Sequence, residues 1–172
     1  MSHPMMVKRI AYSFICLWLV ASSGFALPED QKKRVDVQAD SAHLNQNTHR
    51  GFYLNNVQLD QGTTHIRADK AMTKSNEKNE LVEAMIKGNQ TSQAHYWTLT
   101  ALDKPPLHAY ADQMRYYPAR HLIELIGHAR VEQDKESFAA SKISFDTVQQ
   151  HVITEHDEQH QSTIIIHPGN HP

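Results

Sequence analysis

Three aspartates directly follow an alanine in this chain, in the stretches "VQADSAH", "HIRADKA" and "AYADQMR". The pairs are Ala39-Asp40, Ala68-Asp69 and Ala111-Asp112, and "FAASKIS" places Ser141 in a fourth such position. Two carboxylates that flank one scissile bond can cleave glycosides as an acid and a base or nucleophile. The recurring aspartates therefore mark either a set of catalytic carboxylates or a repeated structural unit.

Serine and histidine side chains offer a second chemistry, nucleophilic hydrolysis. The candidate nucleophiles are Ser41, Ser137 and Ser141, with His43 and His65 as candidate bases. None of the serines lies in a "GxSxG" elbow, and order along the chain does not establish a triad. The sequence disfavours a hydrolase, and we expect no enzyme activity.

Histidines near the C-terminus offer a third chemistry, metal binding. Five of them lie there, at His151, His156, His160, His167 and His171. His156 and His160 have a helical spacing that suits a metal ion, but their surroundings, "HDEQHQS" and "HPGNHP", are polar and contain no cysteine. We expect residues 156–172 to be a solvated, histidine-rich tail, with no metal and no cofactor.

An internal repeat explains the Ala-Asp pairs. Residues 35–73 match residues 107–145 at a constant offset of 72, without a gap. Within each half the pattern recurs at an offset of 29, from Ala39 to Ala68 and from Ala111 to Ala140. In a repeat fold, equivalent residues are spaced along an axis, so they do not meet in one pocket. We therefore interpret the alanine as a close-packed strand position and the aspartate as a hydrogen-bond acceptor where the chain bends.

Apolar residues alternate with polar ones inside each unit, as in Val35, Val37 and Ala39, or Ile123 and Leu125. This period of two predicts half-buried strands. Asn, Gly, Pro and Ser clusters punctuate the runs, as expected for turns, and no long helical pattern is present. The sequence predicts an all-β fold made of many short antiparallel strands.

The first 26 residues have the composition of a secretory signal peptide. Lys8-Arg9 precede the apolar run "IAYSFICLWLVA", which at 12 residues is shorter than the ~20 residues of a membrane span. A small-x-small site predicts cleavage between Ala26 and Leu27. Cleavage removes Cys16, the chain's only cysteine, so the exported form has no disulfide.

The exported form is predicted to be a single domain, residues 27–155, followed by the tail. After cleavage the chain contains 15 basic and 19 acidic residues, and the basic residues are scattered along the sequence. This balance argues against nucleic acid and against an anionic membrane surface as partners. No "GxxxxGK[ST]" loop is present, so a partner would have to supply any energy.

The order of the motifs "VDVQADSAHL", "VQLDQGTTHIRADKA", "ADQMRYYPARHLIELIGHARVEQ" and "FAASKISFD" resembles that of the OstA-like, or LptA, family of periplasmic lipopolysaccharide transport proteins. The resemblance runs from about Val35 to Thr154. One position departs from the pattern: the family glycine before the first inner strand is Asn55, while Gly127 keeps it in the second half. Asparagine tolerates left-handed backbone angles, so the hairpin can still form.

The resemblance implies a twisted, open β-jelly roll that holds the lipid A part of lipopolysaccharide between its sheets. It also implies copies stacked head to tail as a bridge from inner to outer membrane. The implied partners are an inner-membrane ABC-type extraction complex with its anchored OstA-like subunit, and an outer-membrane lipopolysaccharide translocon. The strand at the exported N-terminus and those between Ile143 and Ile153 are candidates for joining neighbours.

Strand parity and the family pattern together give the residues expected to line a lipid groove: Val35, Val37, Ile66, Tyr96, Trp97, Met114, Tyr116, Ile123, Leu125, Val131, Phe138 and Phe145. Two questions stay open at the level of sequence. The apolar island "STIII" could add a terminal strand or dock in a partner. The protein could also be a periplasmic scaffold for outer-membrane protein assembly that carries no lipid.

Overall fold

The computed structural model describes Asp30 and residues 33–146, 151–155 and 162–165. These residues form twelve strands and one short 3-10 turn, Pro118–Arg120. The strands are β1 (Asp36–Gln38), β2 (Ser41–Asn45), β3 (Arg50–Gln61), β4 (Thr64–Ser75), β5 (Leu81–Lys87), β6 (Ala94–Thr98), β7 (Leu107–Ala111), β8 (Gln113–Tyr117), β9 (Leu122–Gln133), β10 (Glu136–Asp146), β11 (His151–Glu155) and β12 (Thr163–Ile165). The predicted signal peptide lies outside the described residues.

Every pairing between these strands is antiparallel, which confirms the all-β prediction. Within the described ranges, no helix is long and apolar enough to cross a membrane.

Four long strands divide the sheet into two layers. These are β3 and β4, which pair with each other along their length, and likewise β9 and β10. On its other edge each long strand changes partner halfway: β3 pairs with β2 and then β1, β4 with β6 and then β5, β9 with β8 and then β7, and β10 with β12 and then β11. Layer A therefore runs β1, β3, β4, β6, β7, β9, β10, β12, and layer B runs β2, β3, β4, β5, β8, β9, β10, β11. Because the long strands belong to both layers, the sheet folds over itself along one crease.

Small residues occupy the crease. The pairs Val57–Ala68, Ala94–Ala111 and Ala129–Ala140 lie across neighbouring strands there. The alanines at positions 94, 111 and 129 are at most 1% exposed. A larger side chain would push the layers apart, since close-packed interiors accommodate extra volume only with strain. Of the alanines in the Ala-Asp pairs, Ala111 is buried and Ala68 packs against the core, as predicted for a packing residue, whereas Ala39 is half-buried and outside the core cluster.

The repeat of 72 residues is confirmed by the strand bounds and the backbone. The β3–β4 hairpin and the β9–β10 hairpin are equivalent, and each has a register shift at the crease. Residues with positive φ fall at matching positions in the two halves: His49 and His121, Asn55 and Gly127, Asn56 and His128, Gly62 and Asp134. The same bends therefore recur in both halves.

Both ends of the folded sheet carry open edges. β1 and β2 at one end, and β11 and β12 at the other, each pair with a single strand within the described residues. β12 comes from the "STIII" island, which adds a terminal strand against β10 beyond the predicted domain end at residue 155. An unpaired edge exposes a row of backbone donors and acceptors that can recruit another strand.

Candidate functional site

A row of apolar side chains crosses all eight strands of layer A on its inner face. Directly opposed residues of neighbouring strands project to the same face of a sheet. Following the register from β1 to β12 gives Val37, Leu59, Ile66, Tyr96, Ala109, Val131, Phe138 and Ile164. The five residues from Ile66 to Phe138 pack against or belong to the core. The row therefore faces layer B.

Layer B contributes two further inner rows. Nearer the crease the row is Ala42, Tyr53, Ala71, Ile86, Met114, Leu125, Ile143 and Thr154. Farther from the crease it is Leu44, Gly51, Thr73, Ala84, Tyr116, Ile123, Phe145 and Val152. Met114, Leu125 and Phe145 are buried, whereas Tyr116 is 37% exposed. The row farther from the crease thus combines a buried residue, Phe145, with an accessible one, Tyr116.

Ten of the twelve predicted groove residues lie in these three rows. Layer A holds Val37, Ile66, Tyr96, Val131 and Phe138, and layer B holds Met114, Tyr116, Ile123, Leu125 and Phe145. Val35 precedes β1 and is exposed. The predicted set lacks four apolar inner positions near the ends of the sheet, although the same alternation along the strands would have placed them on the inner face: Leu44, Leu59, Val152 and Ile164.

Trp97 lies on the other side of the sheet from Tyr96. Consecutive residues of a strand alternate between faces, and the Trp97 ring stacks on His65 and His95 with centroid distances of 4.9 and 4.6 Å. Only Tyr96 of this aromatic pair points between the layers. Trp97 belongs to the outer surface of layer A.

The hydroxyl group of Tyr96 is held in a small polar cluster inside the row. It hydrogen-bonds with Thr64 and Thr98, whose own hydroxyl groups lie 2.9 Å apart. Burial raises the pKa of Tyr96 to about 12. The tyrosine is therefore neutral at physiological pH and presents its ring to the space between the layers.

The outer face of layer A carries a stack of rings across β4, β6 and β7. His95 stacks on Trp97 and on Tyr110, at 4.6 and 4.3 Å, and its Nε2 lies 3.0 Å from Nδ1 of His108. Burial lowers the pKa of His95 to about 4, assisted by the nearby His108 and Arg67. The neutral ring is thus the stable form within this stack.

Asp60 and Arg67 complete one end of the ring stack. Asp60 Oδ1 lies 2.6 Å from His65 Nδ1 and accepts a hydrogen bond from Arg67 Nη1 at 3.0 Å. The hydrogen bond with His65, followed by Arg67, holds the pKa of Asp60 below its ordinary value. These charges are mutually satisfied on the outer surface.

Among the described residues, one candidate nucleophile, Ser41, lies beside a candidate base, His43. Ser41 Oγ and His43 Nε2 lie 3.2 Å apart, but the pair is exposed on edge strand β2 and, among the described residues, no carboxylate is within hydrogen-bond distance of His43. The described part of the chain holds no group of three or more His, Cys, Asp or Glu side chains that could bind a metal ion. His156 and His160 lie outside it.

Comparison with known proteins agrees with this architecture. Residues 36–151 match the family described as LptA/(LptD N-terminal domain) LPS transport protein. The chain is 31% identical over 132 residues to the lipopolysaccharide export system protein LptH of Pseudomonas aeruginosa strain PAO1, covering 77% of this chain and 74% of the relative.

A solved structure gives the same result for the fold. The crystal structure of LptH, described as the LptA-homologous periplasmic component of the lipopolysaccharide transport device of P. aeruginosa, superposes with a TM-score of 0.71 at 26% identity. The match covers 82% of this chain and all of that one. The predicted LptA-type β-jelly roll is thereby confirmed, and the chain belongs to the LptA/LptD N-terminal family of lipopolysaccharide transport proteins.

Proposed function

We propose that this chain binds lipopolysaccharide by shielding the acyl chains of lipid A between layers A and B, and that copies stack head to tail into a bridge across the periplasm. Family membership makes it a lipopolysaccharide transport protein, and its relative LptH is a periplasmic component of such a device. The proposal concerns how the lipid is carried.

The main energetic cost of carrying the lipid is the exposure of its acyl chains to water. Exposing one CH₂ group costs about 0.8 kcal/mol, so an acyl chain of about 14 carbons costs on the order of 10 kcal/mol in water. An apolar surface that runs without interruption removes this cost at every step. The lipid then moves at nearly constant free energy, and a partner at one end can drive it.

The inner row of layer A is the observation that carries the proposal. It crosses all eight strands and ends in exposed apolar residues, Val37 at 40% and Ile164 at 53% exposure. A core that served stability alone would bury its apolar row at both ends. A row that stays apolar to both open edges suits a lipid path that continues into a neighbour.

We assign the lipid path to the predicted residues whose side chains face between the layers, with Val35 and Val37 at its N-terminal end. Apart from Val35 and Val37, Tyr116 has the most exposed side chain of these residues. Its ring can therefore contact an acyl chain without disturbing the buried crease.

The open edges support the bridge. Contacts that join one end of a molecule to the other end of the next are heterologous and produce open filaments. In this proposal one end of the filament meets the inner-membrane ABC-type extraction complex through its anchored OstA-like subunit, and the other end meets the outer-membrane translocon. The chain reaches the periplasm through a signal peptide, residues 1–26, cleaved before Leu27.

The experiment is binding of the exported chain, residues 27–172, to rough lipopolysaccharide, followed by photo-crosslinking from a probe at position 116. A probe at position 115 is the matched control, because Arg115 is the next residue of β8 and faces the other side. The proposal expects a lipid crosslink at 116 that unlabelled lipopolysaccharide competes away, and none at 115. A folded, oligomeric protein without lipid binding would instead be a protein scaffold.

A further inference from the structure

The outer face of layer B carries a short row of apolar side chains that point away from the lipid path. Positions on this face alternate along each strand with those of the inner rows. Phe52 of β3 lies opposite Met72 of β4, and Met72 lies opposite Met85 of β5. Phe52 is 38% exposed, and the two methionines are half-buried. None of the three belongs to the core cluster that the described residues form, so this outer row does not serve the space between the layers.

Basic residues flank the outer row on both sides. Two positions along the strands from it, Arg50 and Lys74 lie directly opposite each other on one side, and Lys70 and Lys87 do so on the other side. These four residues are exposed. A fifth cation, Arg115 of β8, lies at the end of the row. The register of the sheet thus gathers basic residues that are scattered along the sequence.

Most of this positive charge is not compensated within the chain. Arg50, Lys74 and Lys87 make no ion pair with any described residue. Lys70 Nζ lies 3.9 Å from Asp69 Oδ2. Like charges directly opposite each other destabilise a sheet, and soluble surfaces usually intersperse both signs. The two like-charge pairs therefore cost stability in the free protein, and an anionic partner would remove that cost.

We propose that this face docks an acidic amphipathic helix of a partner protein. The apolar stripe of the helix lies along Phe52, Met72 and Met85, and its carboxylates meet the flanking cations on both sides. Amphipathic helices bind apolar surfaces in this way, with polar groups along the rim. The inference concerns the face turned away from the proposed lipid path and does not depend on that path.

The dimensions of the surface fit a helix. The two basic pairs are four residues apart along β4, from Lys70 to Lys74, which is about 14 Å at roughly 3.4 Å per residue. An α-helix with its side chains is about 10–12 Å in diameter, so it fits between them. From Phe52 to Met85 the outer row crosses three strands, a span of about 10 Å, or about two helical turns.

The charges on the rest of the face favour a narrow partner over an anionic membrane. Arg115 lies opposite Glu124 of β9, which also pairs with Lys142 Nζ at 3.0 Å. Asp146 of β10 lies on the same face, opposite Leu122. A flat anionic bilayer would have to approach these carboxylates together with the basic residues. A helix confined to β3, β4 and β5 meets the cations and avoids Glu124 and Asp146.

A synthetic peptide tests the surface. The probe is a fluorescent helix of about 18 residues, long enough to be helical alone, with a leucine stripe flanked by glutamates. A scrambled peptide of the same composition is its control. Binding to the exported chain, residues 27–172, is measured by anisotropy. We expect the amphipathic peptide to bind at least about tenfold more tightly than the scrambled one, because only the former aligns its leucines with the outer row.

Matched variants locate the binding. Lys70→Gln/Lys87→Gln removes one flank, and we expect it to weaken peptide binding at least about tenfold. Phe52→Ser, at an exposed position, should weaken it as well. Lys104→Gln/Lys135→Gln is the control, because it removes the same charge from exposed positions in the β6–β7 and β9–β10 connections. This control should bind normally.

Photo-crosslinking gives an independent readout. A probe at position 52 should crosslink the peptide, whereas a probe at position 58 should not, because Gln58 lies on β3 in layer A. Equal binding of the scrambled peptide, or equal losses in the two double variants, would overturn the proposal in favour of general charge attraction.

Two further outcomes would also overturn it. One is binding to phosphatidylglycerol vesicles, lost in Lys70→Gln/Lys87→Gln, without peptide binding, which would assign the face to a membrane. The other is loss of lipopolysaccharide binding in that same variant, which would assign the face to the transported lipid. Normal lipopolysaccharide binding in the variant, together with weakened peptide binding, is the expected result.

Discussion

The backbone N–H of Asp112 donates a hydrogen bond to the carbonyl oxygen of Gly127 at 2.9 Å, and Asp40 makes the same bond to Asn55 at 3.0 Å. The carboxylates add contacts with the next residue of each bulge: Asp112 Oδ2 lies 2.8 Å from His128 Nδ1, and Asn56 Nδ2 donates to Asp40 at 2.9 Å. Asp40 and Asp112 therefore fasten equivalent bends in the two halves of the repeat, which is a structural role.

Gly127 provides a test of this bend. Its φ is +78°, and a Cβ atom there would collide with the Asp112 carboxylate. We expect Gly127→Ala to lower the free energy of unfolding by roughly 1–3 kcal/mol, the cost of a strained left-handed residue. Gly127→Asn should cost less, because asparagine already occupies the equivalent position 55 at φ 59°. Urea unfolding measures both, and equal losses would contradict the backbone explanation.

Tyr116 tests the lipid path. Tyr116→Asp places a charge on the accessible part of the inner surface of layer B, and an unpaired charge among acyl chains is strongly unfavourable. We expect lipopolysaccharide binding to weaken at least about tenfold, or 1.4 kcal/mol, while the β-sheet circular dichroism stays near that of the unmodified protein. Tyr116→Phe keeps the ring and should bind normally. Unfolding of the Asp variant would instead assign Tyr116 to the core.

His95 predicts how stability depends on pH. Its pKa in the folded protein is about 4, whereas a histidine in an unfolded chain titrates near 6.5. Between these values the unfolded state binds a proton that the folded state does not, so the free energy of unfolding falls as pH is lowered through this range. Asp60, whose folded pKa is lowered from 3.8, loses its contribution to stability mainly below about pH 5, as the pH falls through the ordinary pKa and then the folded pKa.

His95→Phe removes this proton and keeps a ring between Trp97 and Tyr110. We expect the unmodified protein to lose stability relative to the variant on going from about pH 7 to about pH 5, as measured by urea unfolding at several pH values. His95→Gln should show the same relative trend, with lower stability throughout because it lacks the ring. A difference that stays constant with pH would contradict the assignment to His95.

The amino-acid sequence by itself determined the repeat, the strand period and the parity of most inner residues. The offset of 72 fixes equivalent strands because the same alternation and the same turn residues recur, and ten of the twelve predicted groove residues lie in the inner rows for that reason. The sequence also carried the family motifs, which are local and keep their order.

Only the tertiary structure decided which strands meet across the crease and what lies on each face. Trp97 was predicted beside Tyr96 in the groove, yet alternation places it in the outer ring stack, where distant residues His65 and Tyr110 surround the same stretch of β6. The role of "STIII" as a terminal strand depends on its pairing with β10, a contact that no local pattern specifies. Backbone hydrogen bonds between distant segments set these relationships.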